Sequence, residues 1–299
     1  MADKVKTTVI GSYPVDVDNL EYMNAYFEQK NLSWNKYIKG AVDDMIKAGI
    51  DIISDGQTRD PFVHIFARKL KGVRIRNRPE VIDKIEYTSP ITVDDLKYVR
   101  SIIPKNHGLV GLIAGPYTIA KSCVDLFYND EKELAFDIAK ALKNEAKNIE
   151  KYVDLISVDE PFFSVDMPNY AKDLIKTVIS DVSVPTRLHS CGDVSGIVPQ
   201  LLDLPVDILS HEFKVSPKLF DAFKKYDVTK KICLGSVRSD DVKVESVDEI
   251  VGHIKKGIDV FNGKISQLSP DCGLRLLPRD VAVEKMKNLV KARKVVYGW

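Results

Sequence analysis

The sequence predicts a (β/α)8 barrel, the TIM barrel, and three observations carry that expectation. Short β-branched runs alternate with amphipathic helical stretches, the pattern of a parallel sheet with helical crossovers. Eight such runs occur along the chain. The 299 residues suit a single α/β barrel, and 44% hydrophobic residues suffice for a sizeable core. A doubly wound sheet, the alternative, is ranked second because no strand runs into a Gly-x-Gly-x-x-Gly turn.

The first strand is read at residues 7–12, ended by Tyr13-Pro14. A helix near 36–48 follows, with Ile38, Val42, Met45 and Ile46 spaced onto one face. The second strand, 50–55, closes at Gly56, and the third, 108–115, stops at Pro116. A long helix over 131–151 leads to the fourth strand, 155–159, stopped by Glu160-Pro161. The fifth to eighth strands are read at 184–190, 206–210, 231–237 and 265–268, before a final helix over 280–296. The stretch 57–107 is too long for an ordinary crossover. Its basic run 68–78 (RKLKGVRIRNR) is read as an excursion from the barrel after strand two. That run fits a solvated strand edge, or else a docking site for a corrinoid-carrying partner. No internal repeat or second domain is visible, so 1–299 reads as one domain.

The net charge is +1, from 44 basic and 43 acidic residues, so no global field draws nucleic acid or a membrane surface. The opening Met1-Ala-Asp-Lys-Val-Lys6 is polar and lacks an apolar signal core. No run approaches the roughly 18 apolar residues of a membrane span. Four cysteines make no disulfide framework in a chain this long, so a reducing cytoplasm is expected. Cys123 and Cys233 sit in apolar runs and read as small core residues.

The sharpest local signal is His189-Ser-Cys191, at the end of the fifth strand. Residues i and i+2 of a strand share a face, about 6–7 Å apart. An imidazole and a thiolate so placed can both reach one ion at about 2.0–2.3 Å. Alone, the pair fits equally a buried thiol beside a core histidine. The barrel changes that, because catalytic groups of this fold stand at the C-terminal ends of strands. Glu212 ends the sixth strand and Cys272 the eighth, while Ser12, Asp55 and Asp159 end the first, second and fourth. His189, Cys191, Glu212 and Cys272 make a tetrahedral zinc set, and two sulfurs favour zinc over magnesium, calcium or manganese. His211 points away from Glu212 by strand alternation and reads as structural or supporting. His64, His107 and His253 are assigned no role.

A sulfur-rich zinc without an evident base suits binding another thiol better than making hydroxide. Coordination supplies a thiolate at neutral pH, which can attack a methyl group. Glu212 is the ligand expected to loosen when the substrate sulfur arrives.

Several blocks then carry a resemblance: Val9-Ile-Gly-Ser-Tyr-Pro14, Gly115-Pro-Tyr-Thr-Ile119, Val158-Asp-Glu-Pro161, His189-x-Cys191, Glu212 and Asp271-Cys-Gly-Leu274. Together they resemble, over nearly the whole chain, the C-terminal catalytic barrel of cobalamin-independent methionine synthase, in the short form lacking the N-terminal barrel. The resemblance implies zinc on His189, Cys191, Glu212 and Cys272, with homocysteine sulfur as the acceptor. It implies that Ile10, Gly11 and Ser12 hold the substrate carboxylate and Asp159 its ammonium, Asp159 and Glu212 being the catalytic pair. A second acidic anchor after strand two has no clean equivalent, and Asp55 is the nearest.

The departures fall on the methyl-donor side. Near Ser122, where the long enzymes carry an aromatic residue that stacks on the folate, there is no tryptophan, and Arg238 stands where a proton-delivering histidine aligns. An amine leaving group needs a proton, whereas a methyl–cobalt donor does not. The expected donor is therefore methylcobalamin or a methylated corrinoid protein. Two other readings remain at this stage. One is a methylcobalamin:coenzyme M type of thiol methyltransferase, against which Asp159 argues. The other is a non-catalytic zinc barrel that partners corrinoid proteins.

Overall fold

Most of the chain's apolar runs are short and buried on both faces, which suits strands wrapped by helices rather than an open antiparallel sheet. The computed structural model describes residues 4–18, 20–21, 23 and 33–298. In chain order its strands are β1 (Lys6–Thr7), β2 (Ile52–Ile53), β3 (Leu70–Ile75), β4 (Pro79–Tyr87), β5 (Gly108–Ala114) and β6 (Val124–Asp125). They continue with β7 (Leu155–Asp159), β8 (Thr186–Ser190), β9 (Ile208–His211), β10 (Lys231–Val237) and β11 (Ile265–Pro270). Eight of these form one parallel sheet in the order β1-β11-β10-β9-β8-β7-β5-β2. A parallel bridge between Thr8 and Ile52 joins its two ends, closing the barrel.

The first two strands are shorter than the sequence suggests. Gly11 has φ +52°, a left-handed conformation that turns the chain out of the ladder before Ser12. The segment is then caught across the mouth, where Tyr13 N–H donates to Gly56 O at 2.9 Å. The later strands fall close to their expected places.

The excursion is a separate three-stranded sheet in the order β3-β4-β6. The basic run 68–78 supplies its edge strand, antiparallel to β4. Lys71 pairs with Glu86 at 2.7 Å and Arg74 with Glu80, so these charges face the neighbouring strand and solvent. Wholly buried Glu145 anchors the return to the barrel. It accepts from Tyr87 Oη (2.8 Å), Ile91 N (2.9 Å), Thr92 N (2.7 Å) and Thr92 Oγ1 (2.8 Å).

Helices coat the barrel, and each buries one stripe. In Asn35–Ala48 that stripe is Ile38, Ala41, Val42 and Met45. Asp130 caps Glu131–Ile149 by accepting from Lys132 N and Glu133 N, and Ser246 with Glu249 forms a capping box on Val247–Phe261. Inside the barrel lie Ile10, Ile52, Val110, Leu112, Leu155, Ile208 and Cys233, with Cys272 packed against them. Cys123 and Cys233 are buried, as expected. Among the described residues, no helix is long and apolar enough to cross a membrane. The polar opening Met1-Ala-Asp3 lies outside the described residues.

Candidate active site

The C-terminal ends of β8 and β11 bring three ligand atoms together. His189, near the end of β8, is buried, and its Nδ1 lies 3.1 Å from Ser210 Oγ on β9. That contact leaves Nε2 facing Cys191 Sγ at 3.1 Å. Cys272 follows β11 and places its Sγ 2.8 Å from Cys191 Sγ. Ligand atoms of His189, Cys191 and Cys272 all lie within 4.8 Å of one another. All four cysteines are free thiols.

The donor chemistry fits a zinc ion. Burial holds the His189 imidazole well below its ordinary pKa, with Arg187 adding to the effect, so the ring is neutral and keeps a lone pair. The Cys272 hydrogen bond, then burial, pushes the Cys191 thiol up. Two sulfurs with one imidazole make a donor set that zinc prefers. The Ser210 contact fixes the ring in the manner of outer partners of metal-bound histidines.

Glu212 stands at the edge of this cluster rather than within it. It follows β9, is half-buried, and its carboxylate accepts from Gly192 N–H. Gly192 takes φ +79°, and a Cβ there would come 2.7 Å from Ser164 Oγ. A residue with a side chain would push this turn, and with it Glu212, off the site. Burial raises the Glu212 carboxyl above its ordinary value.

A second group of residues faces the cluster. Asp159 ends β7, is buried, and accepts from Ser157 Oγ at 2.8 Å. Burial pushes its carboxyl up to about 6, with Arg187 pulling the other way. A Cβ at Gly11 would stand 3.9 Å from Asp159 Oδ2, so the turn at Ile10, Gly11 and Ser12 passes directly beside that carboxylate. Ser12 O accepts from Leu274 N at 2.8 Å, which locks this turn to the loop carrying Cys272. Asp55 is buried, and its Oδ1 accepts from Gln57 N at 3.2 Å. Burial, then Asp95, pushes it up to about 6.

Gln57 is the residue that sequence reading passed over. It has φ 45°, is 4% exposed, and its Oε1 would lie 2.6 Å from a Cβ at Gly11. Its Nε2 is buried with no hydrogen-bond partner among the described residues. Arg275 Nη1 holds the loop by donating to Gln57 O and Asp60 O, both at 2.9 Å. The available signal was a polar residue directly after Gly56 at a strand end.

His211 is buried on the far side of β9, with Nδ1 3.2 Å from Ser190 O and its ring against Phe213 and Phe223. Burial lowers it to about 4, so it is a neutral structural group. Ser122 Oγ donates to Thr118 O at 2.7 Å within its own helix. The Arg238 guanidinium is bidentate on Asp240, 2.8 Å for each bond.

Fold and site together define a (β/α)8 barrel whose C-terminal mouth carries a His–Cys–Cys cluster able to hold a metal ion. Residues 5–295 match the model of the catalytic domain of cobalamin-independent synthase, and the chain belongs to that family. The methionine synthase of Methanocaldococcus jannaschii is 37% identical, with 97% of this chain and 99% of the relative covered. That of Methanothermobacter marburgensis is 36% identical, over 96% and 98%. Among solved structures, a B12-independent methionine synthase from a Shewanella species, in complex with selenomethionine, superposes with TM-score 0.84 at 23% identity, covering 98% of each chain. A methyltransferase from Methanosarcina mazei superposes with TM-score 0.73 at 19% identity, over 99% of this chain and 95% of that one. These kinships make the chain a methyltransferase. The family's name and the Shewanella structure's title describe cobalamin-independent proteins, which runs against the methylcobalamin or corrinoid donor expected from the sequence.

Proposed function

We propose that the protein transfers a methyl group to the sulfur of homocysteine, giving methionine, with residues 1–299 acting as one catalytic unit. The observation that carries this reading is the convergence of His189, Cys191 and Cys272 within 4.8 Å, beside a buried Asp159. These three would hold zinc, with Glu212 as the fourth and exchangeable ligand. Bound zinc lowers the pKa of a thiol it coordinates, so that the sulfur is nucleophilic at neutral pH.

The chain's own residues do the rest. Asp159 accepts hydrogen bonds from the substrate ammonium. The turn of Ile10, Gly11 and Ser12 orients the carboxylate. The free amide N–H of Gln57 gives a neutral donor in the same pocket, with Asp55 supporting that loop from below. Glu212 already has an alternative partner in Gly192 N–H, which gives its carboxylate a resting place when it is not a ligand. Asp159 separates this reading from a methyltransferase for sulfonated thiols, whose substrate carries no ammonium.

For the donor we favour methylcobalamin or a methylated corrinoid protein docking at the barrel mouth. Support comes from Arg238, whose guanidinium is spent on Asp240 and gives no proton to an amine leaving group. The family's name weighs against this choice. The four free cysteines support a reducing compartment, the cytoplasm.

The test is methionine formation by zinc-loaded protein with homocysteine, with methylcobalamin and methyltetrahydrofolate offered in parallel. Methionine from methylcobalamin alone supports both parts of the reading. Methionine from the folate alone keeps the acceptor and overturns the donor.

A further inference from the structure

Beneath the proposed metal ligands, at the centre of the barrel, lies a guanidinium with no carboxylate bonded to it among the described residues. Arg187, on β8, is wholly buried. A buried cation costs several kcal/mol, on the order of magnitude seen for desolvated ions, unless its donors are satisfied. Arg187 satisfies them with uncharged partners. Its Nε donates to Ser157 Oγ at 3.1 Å, Nη1 to Gln267 Oε1 at 3.2 Å, and Nη2 to Val9 O at 3.2 Å. Nη1 also lies 3.8 Å from Cys233 Sγ.

These partners stand next to functional groups. Ser157 donates onward to Asp159 Oδ1 at 2.8 Å, giving an unbroken chain from guanidinium to carboxylate. Val9 immediately precedes the turn at Ile10, Gly11 and Ser12. Gln267 lies on β11, the strand that leads to Cys272. One planar group therefore links the segment after β1 with β7 and β11, one layer below the mouth. A lysine ammonium could not reach three separated acceptors in this way, whereas the fork of a guanidinium does.

We infer that Arg187 is the positioning residue for the amino-acid end of the thiol substrate. Through Ser157 it fixes the carboxylate that takes the ammonium, and through Val9 O it fixes the turn that takes the carboxylate. Arg187 thereby holds the two anchors at a fixed spacing. The enzyme's preference for an α-amino thiol over a simple thiol thus originates one layer below the pocket. This inference rests on the homocysteine reading above.

Equilibrium binding to zinc-loaded protein tests it without any methyl donor. Homocysteine is compared with 4-mercaptobutyrate, the same thiol without its ammonium, by titration calorimetry. Ser157→Ala cuts the chain but leaves the buried charge, and Arg187→Met removes both links. The preference for homocysteine is expected to fall about tenfold in Ser157→Ala, the scale of one lost hydrogen bond to a charged group. It falls further in Arg187→Met and recovers in part in Arg187→Lys, while zinc stoichiometry stays at the wild-type value. Should Arg187→Met fail to fold, Ser157→Ala carries the test alone. An unchanged preference in folded, zinc-loaded Ser157→Ala, or equal weakening of both thiols, overturns the inference. Wild-type protein that binds the two thiols equally overturns the homocysteine reading itself, and does so before any variant is made.

Discussion

Asp159 and His189 are register partners on adjacent parallel strands, β7 and β8. The proposed ammonium anchor and the first proposed metal ligand are thus neighbours across one ladder, about 4.8 Å apart in the hydrogen-bonding direction. A substrate held by its amino group at one is delivered with its sulfur near the other, and the barrel's register sets the reach.

Asp159→Asn tests the anchor directly. The amide keeps the size and can still accept from Ser157, but it loses the charge. Homocysteine KM is expected to rise by about tenfold to a hundredfold, the worth of a charge-assisted bond, with zinc content unchanged. Steady-state kinetics with metal analysis checks both halves.

Cys272→Ala and Glu212→Ala should differ in what they do to the metal. Removing Cys272 leaves two of the three clustered donors, and zinc stoichiometry is expected to fall close to zero after dialysis. Glu212→Ala keeps all three clustered donors and should retain zinc, with affinity weakened by about 10–100-fold, the range of a supporting partner. Competition with a chelating dye reads both.

Asp55 gives a pH-dependent stability. Its carboxyl is raised from 3.8 to about 6 by burial and by Asp95. A folded-state value above the unfolded one adds stability below pH 3.8, and that contribution is lost as pH rises through about 6. Asp55→Asn carries no such loss, since its amide oxygen can still accept from Gln57 N. Relative to wild type, the variant should gain on the order of 2 kcal/mol between about pH 4 and pH 6, then no more. Urea unfolding at several pH values measures the gain, and homocysteine binding by the same variant shows whether Asp55 serves the substrate as well.

Glu145 ties the three-stranded sheet to the barrel through four hydrogen bonds, and Glu145→Ala leaves those donors buried and unpaired. A loss of about 3 kcal/mol is expected. Limited proteolysis should first cut near residues 76–92, at lower protease concentration than in wild type.

Much of this could be read from the residues alone. The fourth and seventh strands were legible to the residue, because β-branched runs there end at Glu160-Pro161 and before Arg238. The first two strands were read too long, since nothing in Val9-Ile-Gly-Ser announces that Gly11 leaves the ladder at positive φ. His189 and Cys191 were legible from their spacing, and Cys272 from its place at a strand end. Glu212 reads as the ligand readiest to loosen, but its rest on Gly192 N–H was not legible, being a contact set by a backbone turn. Gln57 and Arg187 were not legible. The pocket contact of Gln57 depends on a left-handed backbone. The partners of Arg187 lie 30, 80 and 178 positions away in sequence.

The two cysteines of the cluster are 81 positions apart, on loops after strands β8 and β11. A chain leaving the ribosome therefore exposes His189 and Cys191 well before their third companion has been made. Only when β11 slides between β10 and β1 does the full donor set exist. Capture of the proposed zinc would thereby be a late event of synthesis, coupled to completion of the barrel. Retained zinc would then mark a finished molecule, distinguishing it from copies that stalled or closed incorrectly.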